Sequence, residues 1–212
     1  EALANSKEDE VLHHWSGLGY YTRARNLYKC AKLIYQKKDR VFPSEIDELT
    51  KLPGIGRSTA GAIRAIAYKK RSPILDGNVK RVLTRFFAIP GWPGNTAVEK
   101  NLWELADNLT PLDRVNDYTQ AIMDLGATVC TRKKPNCFKC PISENCVALR
   151  ANQINKFPEK KQKKELITKH TNLYIIVNDK GEVLLEKRPP KGVWAGLWSF
   201  PENENILSKL KL

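Results

Sequence analysis

Residues 52–63 read LPGIGRSTAGAI. Pro53 disfavours helix at the residue before it. A helix that starts with Ser44 as its N-cap, with Asp47 three residues on, should therefore end near Leu52. Gly54 and Gly56 allow a tight turn. A second helix over about Arg57–Tyr68 aligns Ala60, Ile63 and Ala67 on one face. Glycines at such a corner let backbone N–H groups approach a ligand with no Cβ in the way. The second helix begins at once, so its unpaired N–H groups and positive dipole end point at the same place. One DNA phosphate suits that place, and a phosphate grip reads no base edge, so it carries no sequence preference. A plain helix-turn-helix corner is the alternative for the same residues.

The neighbouring segments extend a helical layout. Residues 9–38 read as helix, a break at SGLGYYTR, then helix, with Leu27, Ala31 and Ile34 on one face of Arg25–Lys38. Downstream, SPIL is extended, and DGNVKRVLTRFFA opens a helix with Val79, Val82, Leu83 and Phe86 on one stripe. Asp76, between the two, has the position of an N-cap. Helices around 96–109 and 116–129 follow. The fold class expected is mainly α over 1–150. Residues 155–170, NKFPEKKQKKELITKH, are lysine-rich and poor in apolar groups, so 151–169 reads as a basic linker. TNLYIIV and EVLLEKR then flank the turn NDKG, a hairpin signal within a β-rich segment over 170–202, and 203–212 is a tail.

Lys plus Arg is 36 against 23 Asp plus Glu, a formal charge of +13. That excess is the electrostatic footprint of a nucleic-acid binder, although a generic basic protein shares it. The longest apolar runs, such as LYIIV at 173–177, have the length of a strand and not of a membrane span. The polar start EALANSKEDE shows no secretory signal. Cytosol or nucleoid is the compartment expected, where thiols stay reduced. Four of the five cysteines, Cys130, Cys137, Cys140 and Cys146, then read as metal ligands and not as disulfides. Their spacing alone suits either zinc or a [4Fe–4S] cluster. Cys30 lies on an apolar helix face as a buried thiol, and His13, His14 and His170 show no ligand pattern.

Several motifs occur together in one order. LPGIGRSTAGAI, then LDGNVKRVL, then Cys-x6-Cys-x2-Cys-x5-Cys resemble the helix-hairpin-helix base-excision DNA glycosylases. GLGYYTRARN, ILDGNVKRV, GWPG and MDLGATVCTRKKP are similar to the adenine-specific branch of that family, over about residues 8–201. The resemblance implies a [4Fe–4S] cluster on the four cysteines. It also implies a monomer whose partner is double-stranded DNA carrying adenine opposite 8-oxoguanine or guanine. Asp76 becomes the active-site aspartate, with Asn78 helping to order it. Breaking an N-glycosidic bond builds oxocarbenium-like charge on the sugar, which an ionised carboxylate stabilises. Ser58 stands where endonuclease III-like relatives carry the lysine that forms a Schiff base, so water should be the nucleophile and the strand should stay intact.

The same resemblance assigns the DNA contacts. The adenine must leave the stack to be reached, and Tyr20, with Leu18 beside it at the helix break, is the implied wedge next to the damaged guanine. Core packing is the alternative for Leu18 and Tyr21, and the preferred one for Trp15. Arg23 and Arg25 fit the adjoining backbone. Gly54 and Gly56 hold a phosphate. Lys80 is a phosphate or sugar contact, or a solvated helix face. Arg132, Lys133 and Lys134 sit in a loop that the cluster would staple into a fixed shape. Residues 172–202 resemble the start of the family's Nudix-like domain for 8-oxoguanine. The family's general-acid glutamate falls before residue 1, and Glu10 does not match it, so these 212 residues are expected to bind DNA without efficient adenine release. An endonuclease III-like lyase and a non-catalytic DNA-binding module are the competing functions.

Overall fold

The structure, a computed structural model, describes residues 1–37, 39–161, 168 and 170–202. The chain divides into two compact units, Glu1–Gln162 and Lys163–Leu212. Part of the lysine-rich linker and the whole 203–212 tail lie outside the described residues. Among the described residues no helix is long and apolar enough to cross a membrane.

The first unit is helical. In chain order it holds α1 (Ala2–Asn5), α2 (Glu8–His14), α3 (Tyr21–Gln36), α4 (Ile46–Leu49), α5 (Arg57–Tyr68), α6 (Gly77–Phe86), α7 (Thr96–Leu109), α8 (Val115–Asp124) and α9 (Val147–Arg150). A π turn over Leu125–Val129 carries α8 into the cysteine region. The break between α2 and α3 follows from local chemistry. Gly17 and Gly19 take positive φ, Tyr20 sits in the left-handed region, and the Trp15 indole donates to the Gly19 carbonyl at 2.9 Å. Trp15 is half-buried there and not a core residue, with the Arg23 guanidinium over its ring.

Two elements differ from the sequence reading. The α4 helix is a single turn whose N-cap position is Glu45 and not Ser44, with no side-chain cap hydrogen bond. The Ser44 hydroxyl donates to the Glu45 carboxylate, which Lys70 and Arg64 also hold. The Lys70 hydrogen bond and the Arg64 charge keep that carboxyl below its usual range. The helix stops at Leu49, before Leu52, because the Thr50 hydroxyl donates back to the carbonyls of Ile46 and Asp47. On α3 the buried residues are Ala24, Tyr28 and Cys30, while Leu27 is 49% exposed. The first two helices decide this: α1 and α2 pack on α3, and the Tyr28 hydroxyl donates to the Ser6 carbonyl at 2.9 Å. Leu27, Ala31 and Ile34 instead line an open groove with Phe42.

Two apolar clusters hold the hairpin between them. Cys30, Leu49, Leu52 and Ala60 pack α3, α4 and α5 together, and burial pushes the Cys30 thiol up, as expected of a core cysteine. Ile74, Leu75, Val79, Leu83, Leu102 and Ala106 join the segment after α5 to α6 and α7.

In the second unit the NDKG turn closes as read. Val177 bridges Val183 antiparallel, and Gly181 supplies the positive φ. The ladder is shorter than the apolar runs suggested: β1 (Glu186–Lys187) pairs with β2 (Trp198–Ser199), Glu186 opposite Ser199. Leu173, Ile175, Val177, Val183 and Leu185 remain exposed.

Candidate nucleic-acid interface and active site

The hairpin corner is built for close approach. Gly54 has φ +80, and a Cβ there would stand 2.8 Å from that of Asn26, so both backbone conformation and space require glycine. Gly56 is different. Its φ is ordinary, and a Cβ built there meets nothing within 4 Å. It is the N-cap of α5, and no side chain caps that helix. The first N–H groups of α5 are thus left without a side-chain cap, as an anion site requires.

Asp76 caps α6, its Oδ1 accepting the Val79 N–H at 2.8 Å. Cap and candidate catalytic carboxylate are one residue, so the role that fixes the side chain does not compete with the chemistry. Asn78, two residues on, has its Oδ1 held by Arg81 Nη2 at 2.8 Å. Gly126 of the π turn lies against it, where a Cβ would come within 2.6 Å of the Asn78 Cβ. Ser58 Oγ accepts the Leu75 N–H at 2.9 Å. Lys80 is not a freely solvated cation: its ammonium pairs with Glu99 on α7 at 2.6 Å. Leu18 and Tyr20 stand out at the helix break, 66% and 81% exposed, as wedge candidates must. Arg25 pairs with Glu8.

Cys130, Cys137, Cys140 and Cys146 line one cavity, together with Val82, Arg85 and other mostly apolar residues. Among the described residues, no three His, Cys, Asp or Glu side chains converge closely enough to hold a single ion. Burial pushes the Cys137 thiol up, and the nearby Cys130, Cys146 and Cys140 sulfurs push it further. Metal is bound by the thiolate and not the thiol, so metal binding at such a site releases protons. Arg85 supplies part of the positive charge, its Nη1 lying 3.3 Å from Cys130 Sγ.

The sequence reading missed Arg81 and Arg85. Arg85 is 3% exposed, and its guanidinium donates to the carbonyls of Phe157, Thr131 and Arg132. Arg81 donates to the carbonyls of Cys130 and Gly126. Together they pin the loop backbone from inside while Arg132, Lys133 and Lys134 project outward, exposed. The available signal was position: Arg85 falls three residues after Val82, on the stripe that the apolar residues of α6 bury.

The profile of the HhH-GPD superfamily base excision DNA repair proteins matches residues 1–108, a span that includes the α4–α5 hairpin and Asp76. The chain belongs to this superfamily. A NUDIX domain profile matches residues 172–211. The chain is 43% identical to the adenine DNA glycosylase of Buchnera aphidicola subsp. Baizongia pistaciae, over 95% of its own length and 57% of the relative's. It is 40% identical to that of the Schizaphis graminum subspecies, over 60% of the relative. The human adenine DNA glycosylase is 34% identical, with 45% of it covered. The chain thus spans less than two thirds of the length of these relatives. A solved thermostable thymine-DNA glycosylase superimposes with a TM-score of 0.60 at 27% identity, over 70% of this chain and 69% of that one. An endonuclease III–DNA complex gives 0.59 at 23% identity, over 71% of this chain and 69% of that one, which speaks for the fold alone. The mainly helical HhH-GPD fold read from the sequence is therefore borne out. The four cysteines and the loop cations lie beyond the span of the HhH-GPD match.

Proposed function

We propose that the chain carries the catalytic core of a monofunctional DNA glycosylase that removes adenine paired with 8-oxoguanine or guanine. One observation carries the reading furthest: a carboxylate, Asp76, locked by the Val79 N–H at the start of α6, with Ser58 and not lysine at the position that would form an imine. As the glycosidic bond lengthens, positive charge grows on the deoxyribose, and the fixed carboxylate opposes it without reorganising. Water then attacks the sugar. No amine at position 58 can capture it, so the strand stays closed.

The other residues bind and orient. The open N-terminus of α5 with Gly54 and Gly56 holds one phosphate, and Arg132, Lys133 and Lys134 hold others. Tyr20 and Leu18 enter the stack beside the lesion while the adenine turns out. Cys130, Cys137, Cys140 and Cys146 would hold a [4Fe–4S] cluster: the donor set is four thiols around one cavity with an arginine facing it. When bound, the cluster fastens the ends of the cationic loop. Residues 172–202 begin a Nudix-like unit for 8-oxoguanine. The protein acts as a monomer on duplex DNA in the nucleoid.

The proton that makes adenine a leaving group is assigned to neither glutamate of α2. Glu8 pairs with Arg25, and Glu10 accepts the Lys7 N–H in a capping box. The reading is tested in a chain extended to the length of the relatives. In the extended chain, a duplex with adenine opposite 8-oxoguanine should yield an abasic site that breaks only on treatment with alkali. Strand breakage without alkali, trapped as a reduced protein–DNA adduct, would overturn the monofunctional reading.

A further inference from the structure

The chain passes from α5 to Asp76 through Pro73–Leu75, and the inner face of α5 is fitted to that segment at two points one turn apart. At the first, Ser58 Oγ accepts the Leu75 N–H at 2.9 Å. Leu75 is only 4% exposed, so water is a poor substitute for that acceptor. At the second, Gly61 is fully packed: a Cβ there would stand 2.3 Å from the Pro73 carbonyl oxygen and 3.3 Å from Ile74 Cγ2. Gly61 is helical, so its backbone needs no glycine; the approach of Pro73 does. The next residue after Leu75 is Asp76, whose carboxylate is then set by Val79 N–H.

We propose that Ser58 and Gly61 are positioning residues for Asp76. They belong to the same helix whose uncapped N-terminus begins at Gly56. The α5 helix thus acts as a rigid gauge, which refers the carboxylate to the phosphate bound at that N-terminus. Ser58 has a task of its own, beyond not being lysine. This inference rests on the reading of Asp76 as the catalytic carboxylate and of the α5 N-terminus as a phosphate site.

The test compares Ser58→Ala, Ser58→Thr, Gly61→Ala and Asp76→Asn. Amide hydrogen exchange is measured on the 212-residue chain. Single-turnover adenine release and duplex affinity are measured on a chain extended to the relatives' length. Ser58→Ala should speed exchange at Leu75 by about tenfold or more. It should also slow adenine release by roughly ten- to a hundredfold, the scale of an ångström-sized misplacement, with Kd within about twofold. Ser58→Thr keeps an acceptor oxygen and should restore both readouts to within about threefold. Gly61→Ala keeps the hydroxyl and should lose rate in the same sense. The inference is overturned if Ser58→Ala releases adenine at the parent rate while Asp76→Asn does not. A loss in Kd and not in rate would also overturn it, making Ser58 a DNA contact. If Asp76→Asn itself keeps the parent rate, the reading of Asp76 fails instead, and Leu75 exchange still decides whether Ser58 holds the segment.

Discussion

Asp76 caps α6 and is the carboxylate proposed to oppose the developing sugar charge, and two substitutions separate the two roles. Asn caps helices about as well as Asp, so Asp76→Asn keeps the bond from Val79 N–H. What it loses is a full negative charge at the N-terminus of α6, about 0.3–1 kcal/mol of helix stabilisation. For a domain of this size that is a fall in Tm of about 1–4 °C. Asp76→Ala loses the charge and also the cap, about 1 kcal/mol more, which brings the fall to roughly 3–8 °C. Excision should rank them differently. Both variants lack the charge that opposes the oxocarbenium, and removing one such electrostatic partner costs on the order of 10²–10³ in rate. Asn and Ala should therefore share the rate loss and differ in Tm. Thermal melts monitored by circular dichroism on the 212-residue chain measure the first quantity. Single-turnover adenine release with alkaline cleavage, in a chain extended to the relatives' length, measures the second. An Asn variant within about tenfold of the parent rate would refute the electrostatic role. An Asn variant as destabilised as Ala would refute the cap geometry.

Three further outcomes follow from the cysteine cavity and the cationic loop. Purified without oxygen, the chain should carry about four irons with broad absorbance near roughly 400 nm. Cys137→Ala should abolish both and weaken DNA binding, whereas stoichiometric zinc without iron would contradict the assignment. Neutralising Arg132, Lys133 and Lys134 together should reduce the slope of log Kd against log salt by about 2–3. The same slope on unrelated duplex sequences is expected, and a loss confined to one sequence would rule out a backbone role; Gly56→Asp should likewise weaken binding to all duplexes alike. Arg85→Met removes the donor to the part-buried carbonyls of Thr131 and Phe157. At roughly 1–3 kcal/mol for each of the two stranded acceptors, Tm should fall by about 4–24 °C, and an unchanged melting curve would show that the loop holds itself.

The hairpin, the helices α5 to α7, the cap at Asp76 and the cysteine spacing were all legible in the residues. Each depends on interactions within about one turn or on backbone limits of glycine and proline, which neighbouring residues suffice to express. The departures are equally physical. Ser44 has the side chain of a cap, yet Glu45 takes the position because Lys70 and Arg64, more than a helix away, hold its carboxylate. Leu27 shares the period of a buried stripe, yet α1 and α2 cover a different side of α3. Lys80 reads as a phosphate or sugar contact or a solvated face, and only the packing of α7 brings Glu99 to it. Ser58 and Leu75, or Arg85 and Cys130, meet across 17 and 45 residues of chain. Those pairings depend on which N–H groups and carbonyls the folded loops leave without a backbone partner, and that is decided only when the helices pack.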